Sequence, residues 1–242
     1  MSIYSNSVTT IRKHRDSESV AFAILSAGIG ARIRTYEPRS LIKIKDKTLI
    51  DHQIDAIKSK FKNPEIIGVF GPNISRVVKN VRGKIRVVEN QKHESTNNSE
   101  SLRLALNNSI KNSLMFIHGD ILIDETFFNS LNFNKSFVVY EDRGMMDEKE
   151  VGLTIMKNKA TILSYGLEKK WCQAAFFKGK ELRILRSIFS SFTNHEKKML
   201  TFEIINKIID AGGSFQAQRL EKSKILEIDC IRDIKNENIN LQ

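Results

Sequence analysis

The chain has 242 residues, enough for one sizeable core or two small ones, with 40% hydrophobic and 28% charged residues, which excludes a disordered or fibrous class. No apolar run approaches the roughly 18 residues of a membrane helix, the first residues lack a secretory pattern, and Cys172 and Cys230 form neither a C-x-x-C pair nor a disulfide framework. The net charge of +11 points to polyanionic partners, but the basic residues are scattered, with no long block interleaved with aromatics. Small phosphorylated ligands are therefore expected rather than nucleic acid or a membrane, in a reducing, cytoplasmic setting.

Residues 1–19 are polar and aperiodic and are expected to form an N-terminal arm. Val20 to Leu25 is a run of six apolar residues, read with Ser26 as a buried strand. Ser26-Ala27-Gly28-Ile29-Gly30-Ala31 then makes a small, glycine-containing turn, a segment whose backbone N–H groups can approach an anion closely. Arg32, Arg34 and Arg39 follow within eight positions, with forked donors suited to phosphate oxygens. The stretch reads as a polyphosphate cradle at a strand end. It is neither a G-x-G-x-x-G fingerprint, since Ile33 stands where the third glycine is required, nor a P-loop.

Leu41 to Ile44 is expected to be extended. Thr48 and Asp51 form a T-x-x-D cap ahead of Ile50, Ile54 and Ile57, so a helix is predicted to about Lys60. Strands are predicted at Glu65 to Phe70 and Lys84 to Glu89, with a helix from Ser75 to Arg82 between them. Leu102, Leu106 and Ile110 repeat at helical spacing after Thr96-Asn97-Asn98-Ser99-Glu100-Ser101, so a helix should start near Ser99. Leu114 to Ile117 is a buried strand that runs into His118-Gly119-Asp120. An aspartate just past a strand end suits a hard cation, whereas a lone histidine on a strand is more often packed than functional.

Beyond this lie a strand at Ser136 to Tyr140 and an acidic loop over 141–150. A hairpin of Val151 to Met156 and Ala160 to Ser164 follows, then a strand at Trp171 to Phe177. Helices are predicted from Glu181 to Phe189 and from Phe202 to Asp210, the latter stopped by Gly212-Gly213. Ile225 to Ile228 would deliver Asp229 to a strand end. The alternation of strands and helices predicts an α/β fold, a three-layer α/β/α arrangement around a mostly parallel central sheet. Ligands in such sheets bind outside the carboxyl ends of the strands.

Leu25-Ser26-Ala27-Gly28-Ile29-Gly30-Ala31-Arg32 followed by Pro38-Arg39 resembles the signature of the nucleotidyltransferases that join an NTP to a sugar 1-phosphate or an alcohol phosphate. Thr96-Asn97-Asn98 with Ser101-Leu102 resembles their phosphocholine cytidylyltransferase-like branch. Gly119-Asp120 and Glu227-Ile228-Asp229 resemble the family's two metal-binding motifs. The sequence departs from the pattern at Arg39, where the family has lysine, and at Cys230 and Arg232.

The resemblance implies a single nucleotidyltransferase domain over 20–238, with a nucleotide-binding half at about 20–125 and an acceptor-binding half at about 126–238. It implies magnesium held by Asp120 and Asp229. The nucleotide would lie against Ser26, Ala27, Gly28, Ile29, Gly30, Ala31, Asn97 and Ser101, with Arg32 and Arg39 as catalytic cations and Trp171 as a weaker candidate for acceptor contact. The expected substrates are an NTP, with CTP favoured, and a small phosphorylated acceptor. Three alternatives stand beside it: a catalytically degenerate nucleotide-binding protein of the same fold, a glycosyltransferase of the same fold, and a basic nucleic-acid-binding protein. The second should show a D-x-D motif, and Asp120 and Asp124 are too widely spaced for one.

Overall fold

The computed structural model describes residues 20–28, 38–142, 148–220 and 225–228. Residues 1–19, residues 29–37 with Arg32, and Asp229 onward lie outside them.

The first element of the described residues is β1 (Val20–Ser26), whose residues alternate between two cores. Val20, Phe22 and Ile24 face one, and Ala21, Ala23 and Leu25 the other. Two short strands, β2 (Lys43–Ile44) and β3 (Lys47–Thr48), pair with each other before α1 (Leu49–Lys60). The predicted cap is present: Thr48 Oγ1 accepts from Asp51 N at 3.3 Å, satisfying one of the donors left open at a helix start. Then come β4 (Glu65–Phe70), α2 (Ile74–Val81), β5 (Arg86–Glu89), α3 (Asn98–Asn107) and β6 (Ser113–His118). Ile50, Ile54 and Ile57 of α1 and Val77 and Val81 of α2 pack on the Phe22 face. Leu102, Ala105 and Leu106 of α3 pack on the Ala21 face, where small side chains admit the helix.

After β7 (Ile121–Leu122) the second half contains β8 (Phe137–Glu141), β9 (Val151–Met156), β10 (Lys159–Tyr165), β11 (Lys169–Lys178), α4 (Gly179–Ser190), α5 (Thr201–Asp210), β12 (Phe215–Arg219) and β13 (Leu226–Glu227). Helices α4 and α5 join α3 on the Ala21 face through Leu182, Leu185, Ile204 and Ile208. Among the described residues no helix is long and apolar enough to cross a membrane.

Among the described residues nine strands form one sheet in the order β5-β4-β1-β6-β11-β8-β12-β10-β9. The α/β class holds, but the sheet is mixed rather than mostly parallel. Strands β5, β4, β1 and β6 are parallel neighbours. Beyond them β11 runs antiparallel to both β6 and β8, and β10 antiparallel to β9 and β12. The reason lies in the connections. A parallel pair needs a crossover of a dozen or more residues. The β9–β10 link is Lys157-Asn158, both left-handed at φ 49 and 61, the geometry of a tight hairpin turn. Strand β9 also pairs with Lys169 and Lys170 of β11, so this half of the sheet curls back on itself and covers an edge that would otherwise stay open.

Candidate active site

The ends of β1 and β6 lie side by side, Leu25 opposite His118. Gly119 N donates to Leu25 O at 2.8 Å, so the turn after β6 folds over the end of β1. The approach needs glycine: a Cβ at Gly119 would stand 2.4 Å from Ser26 Cβ and 2.9 Å from Ser26 Cα. Two further contacts hold the turn. Gln53, fully buried on α1, donates through Nε2 to His118 O at 2.8 Å and Ile121 O at 2.7 Å. Ile228 N donates to Asp120 O at 2.8 Å where β13 pairs with β7.

This scaffolding presents Asp120 at the mouth of two adjoining recesses. Its Oδ2 accepts from Arg39 Nη1 at 2.9 Å. Its Oδ1 is buried and has no hydrogen-bond partner among the described residues. A carboxylate oxygen buried without a donor is costly unless something else answers its charge, so Asp120 is suited to a cation. Among the described residues there is no group of three or more His, Cys, Asp or Glu side chains that could hold a metal. Magnesium does not require one, since it commonly binds through one or two carboxylates together with substrate phosphates.

The first recess, about 190 Å³, is lined by the end of β1 from Ser26 to Gly28, by Asn97, Asn98 and Ser101 at the start of α3, and by Arg39 and Asp120. A helix start offers N–H donors and a favourable dipole to an anion. Buried Asn90 braces this wall, donating through Nδ2 to Thr96 Oγ1 at 3.1 Å and to Ser101 Oγ at 3.5 Å. The start of α3 is also tied to the 196–199 segment: Asn97 N donates to Lys197 O at 2.8 Å and Ser99 Oγ to Glu196 O at 3.1 Å.

The second recess, about 690 Å³, is within the ~300–1,000 Å³ range of small-molecule sites. It shares Arg39, Asn98, His118 and Asp120 with the first. Tyr165, Trp171 and Phe202 give it aromatic surface, and Glu150, Lys170 and Glu227 give it charge. Lys170 Nζ donates to Glu150 and stands 3.8 Å from Glu227 Oε2.

His118 sits on the divide between the recesses. Nδ1 bonds Gln173 Oε1 at 2.6 Å, and Nε2 lies 2.9 Å from Thr201 Oγ1 and 3.3 Å from Asn98 Nδ2. Burial pushes its imidazole below the ordinary value of 6.5, against the opposing pull of the Asp120 charge and the Gln173 bond.

No protein-family model matches the chain. A choline-phosphate cytidylyltransferase of Streptococcus pneumoniae is 27% identical over 233 residues, covering 89% of this chain and 98% of that protein. Among solved structures, the CTP:phosphocholine cytidylyltransferase from Streptococcus pneumoniae superposes with a TM-score of 0.71 at 23% identity, covering 90% of this chain and 97% of the other. The inositol-1-phosphate CTP transferase from T. maritima gives 0.75 at 16% identity, covering 90% and 91%. The resemblance to the nucleotidyltransferases holds in sequence and in fold.

Within this nucleotidyltransferase fold, Ser26, Ala27, Gly28, Arg39, Asn97, Ser101 and Asp120 converge on the first recess. Ile29, Gly30, Ala31, Arg32 and Asp229 lie outside the described residues. Trp171 lines the second recess but is 2% exposed, its indole N–H donating to Ala174 O at 3.2 Å, as a buried anchor does. Sequence reasoning passed over Gln53, Asn90, Asn98, His118, Gln173 and Thr201. Asn98 and His118 stood inside motifs already singled out, whereas the other four carry no local signal, because their roles come from partners distant in the chain.

Proposed function

We propose that the chain is a magnesium-dependent nucleotidyltransferase, transferring NMP from an NTP, CTP in preference, to a small phosphorylated alcohol with release of pyrophosphate. The observation that carries the reading is the convergence on one cleft of the β1 end, the start of α3, Arg39 and an Asp120 whose Oδ1 is buried with no donor among the described residues. The reading takes residues 20–238 as one domain, with the nucleotide in the first recess and the acceptor in the second.

The acceptor's phosphate is already largely ionised near neutral pH, with a second pKa of about 6, so the reaction needs no general base. One of its oxygens attacks the α-phosphorus in line, the bond to the β-phosphate oxygen breaks, and pyrophosphate leaves. The chain's work is positioning and charge stabilisation. Ser26 to Gly28 and the start of α3 cradle the nucleotide, Arg39 steadies phosphate charge where the recesses meet, and Arg32 takes the departing pyrophosphate. Asp120 and Asp229, which follows Ile228 directly, would hold the magnesium. That ion supplies Lewis-acid stabilisation of phosphate oxygens when bound.

The relatives' names carry phosphocholine and inositol 1-phosphate. The aromatic side chains of the second recess, Tyr165 and Phe202, suit an acceptor with a cationic head through cation–π contacts, while its carboxylates Glu150 and Glu227 face Lys170. Phosphocholine is therefore the preferred acceptor. The test is pyrophosphate release with each of the four NTPs against phosphocholine, phosphoethanolamine, glycerol phosphate, inositol 1-phosphate and hexose 1-phosphates. Release is expected with CTP and phosphocholine. Saturable nucleotide binding with no release across the panel would favour the non-catalytic alternative.

A further inference from the structure

One residue of the second recess is set apart by its backbone. Gln173 lies within β11 yet has φ +51, a left-handed conformation that a residue with a side chain adopts rarely and at some cost. The pairing of β11 with β8 shifts register there, between Trp171↔Tyr140 and Ala175↔Val138. Such a bulge re-aims a side chain. Here the re-aimed side chain meets His118, and Gln173 lines the second recess.

The hydrogen-bond chain fixes which end of the Gln173 amide reaches His118. Thr201 N–H can only donate, so Asn98 offers it Oδ1 at 2.7 Å and turns Nδ2 toward His118 Nε2. Nε2 therefore accepts and Nδ1 carries the hydrogen. Gln173 must answer a donor with Oε1, as it does at 2.6 Å. A protonated imidazole would also donate from Nδ1, so the orientation does not depend on the charge of His118. The amide's other end, Nε2 with its two hydrogens, makes no hydrogen bond to the described residues.

We propose that Gln173 Nε2 donates to the acceptor's phosphate and so selects phosphorylated acceptors. This rests on the transferase reading above, which requires the acceptor phosphate where the two recesses join. The residues shared there, Arg39, Asn98, His118 and Asp120, include the one that holds Gln173 in place. The strained backbone fits this role: a glycine would be the comfortable residue in that conformation, but only a side chain supplies the donor.

The test is steady-state kinetics of the full chain with CTP and the acceptor that the wild type turns over, phosphocholine or inositol 1-phosphate. Gln173→Glu keeps an oxygen for His118 but replaces the donor with a second oxygen. It should raise the acceptor KM about 10- to 100-fold, the usual weight of a hydrogen bond to a charged group, and leave the KM for CTP within about twofold. Gln173→Gly relieves the backbone and loses the donor, so it should fold stably and show a smaller rise confined to the acceptor. If Gln173 only propped His118, Gln173→Gly would lower turnover and leave the acceptor KM where it was, whatever the added charge does in Gln173→Glu; that outcome overturns the proposal. A wild-type chain that turns over neither acceptor instead overturns the transferase reading, and this proposal with it.

Discussion

Arg39 Nη1 donates to Asp120 Oδ2 at 2.9 Å, across 81 positions of the chain, with each side chain about one-fifth exposed (21%). The pair joins the residue read as a phosphate-binding cation to the residue read as a metal ligand. A cation on Asp120 and a phosphate on Arg39 would exchange one charge-assisted contact for two. Loss of the Arg39 charge should therefore be felt in the reaction. Arg39→Ala is expected to lower turnover by about 10²- to 10³-fold, the usual effect of deleting one such donor. Arg39→Lys, which installs the residue of the resembling family and keeps the charge, should retain much more. Wild-type turnover in Arg39→Ala would remove Arg39 from the catalytic machinery.

Asp120 should separate function from stability. Its Oδ1 is buried without a donor among the described residues, so Asp120→Asn relieves that oxygen while giving up the charge that meets Arg39. The variant should keep the wild-type fold in metal-free buffer while losing turnover at least 10²-fold. Chelation of the wild type should likewise abolish turnover, and magnesium should restore it. Turnover that persists in excess chelator would count against the metal.

Gly119→Ala should cost about 1–3 kcal/mol in chemical denaturation, the usual penalty for forcing atoms into a packed site. The added methyl would sit 2.4 Å from Ser26 Cβ. Ser26→Gly in the same chain should recover part of that loss but not all, because Ser26 Cα remains 2.9 Å away. No recovery in the double variant would mean that the Ser26 contact is not the source.

Glu196 supports the segment that holds the start of α3. Hydrogen bonds from Lys207 and from Thr193 pull its carboxyl from 4.5 down to about 2. A carboxylate with a lowered value in the folded state binds its proton more readily when unfolded. Its stabilising contribution is therefore complete above pH 4.5 and lost as pH falls toward about 2. Glu196→Gln should flatten the pH dependence of stability across that window and leave the curve's shape near neutrality unchanged. An acid limb identical to wild type would contradict this, as would a Glu196 carboxyl that titrates near 4.5 by NMR.

The first half of the fold was legible because its signals are local. Val20–Ser26 and Glu65–Phe70 are apolar runs bounded by small or turn residues, and they form strands with those bounds. Thr48 and Asp51 mark a helix start that the structure repeats. The second half was less legible because strand direction is a matter of connection and pairing. The hairpin at Lys157-Asn158 could be read, but not the insertion of β11 between β6 and β8, nor β12 between β8 and β10. In the site, Gly119-Asp120 stood out as a turn at a strand end. The left-handed Gln173 did not, since glutamine inside a strand-like run signals nothing unusual. Gln53 reads as an ordinary polar residue of an amphipathic helix until the 118–121 turn is seen folded against it.

The central claim is that this cleft transfers a nucleotidyl group rather than merely binding or hydrolysing a nucleotide. Phosphorus NMR of the full chain with CTP, phosphocholine and magnesium tests it most directly, because it follows every phosphate at once. The account predicts that the CTP signals give way in step to those of pyrophosphate and of a new diphosphate diester carrying both cytidine and choline. An unchanged CTP spectrum, or one that yields orthophosphate without the diester, would contradict it.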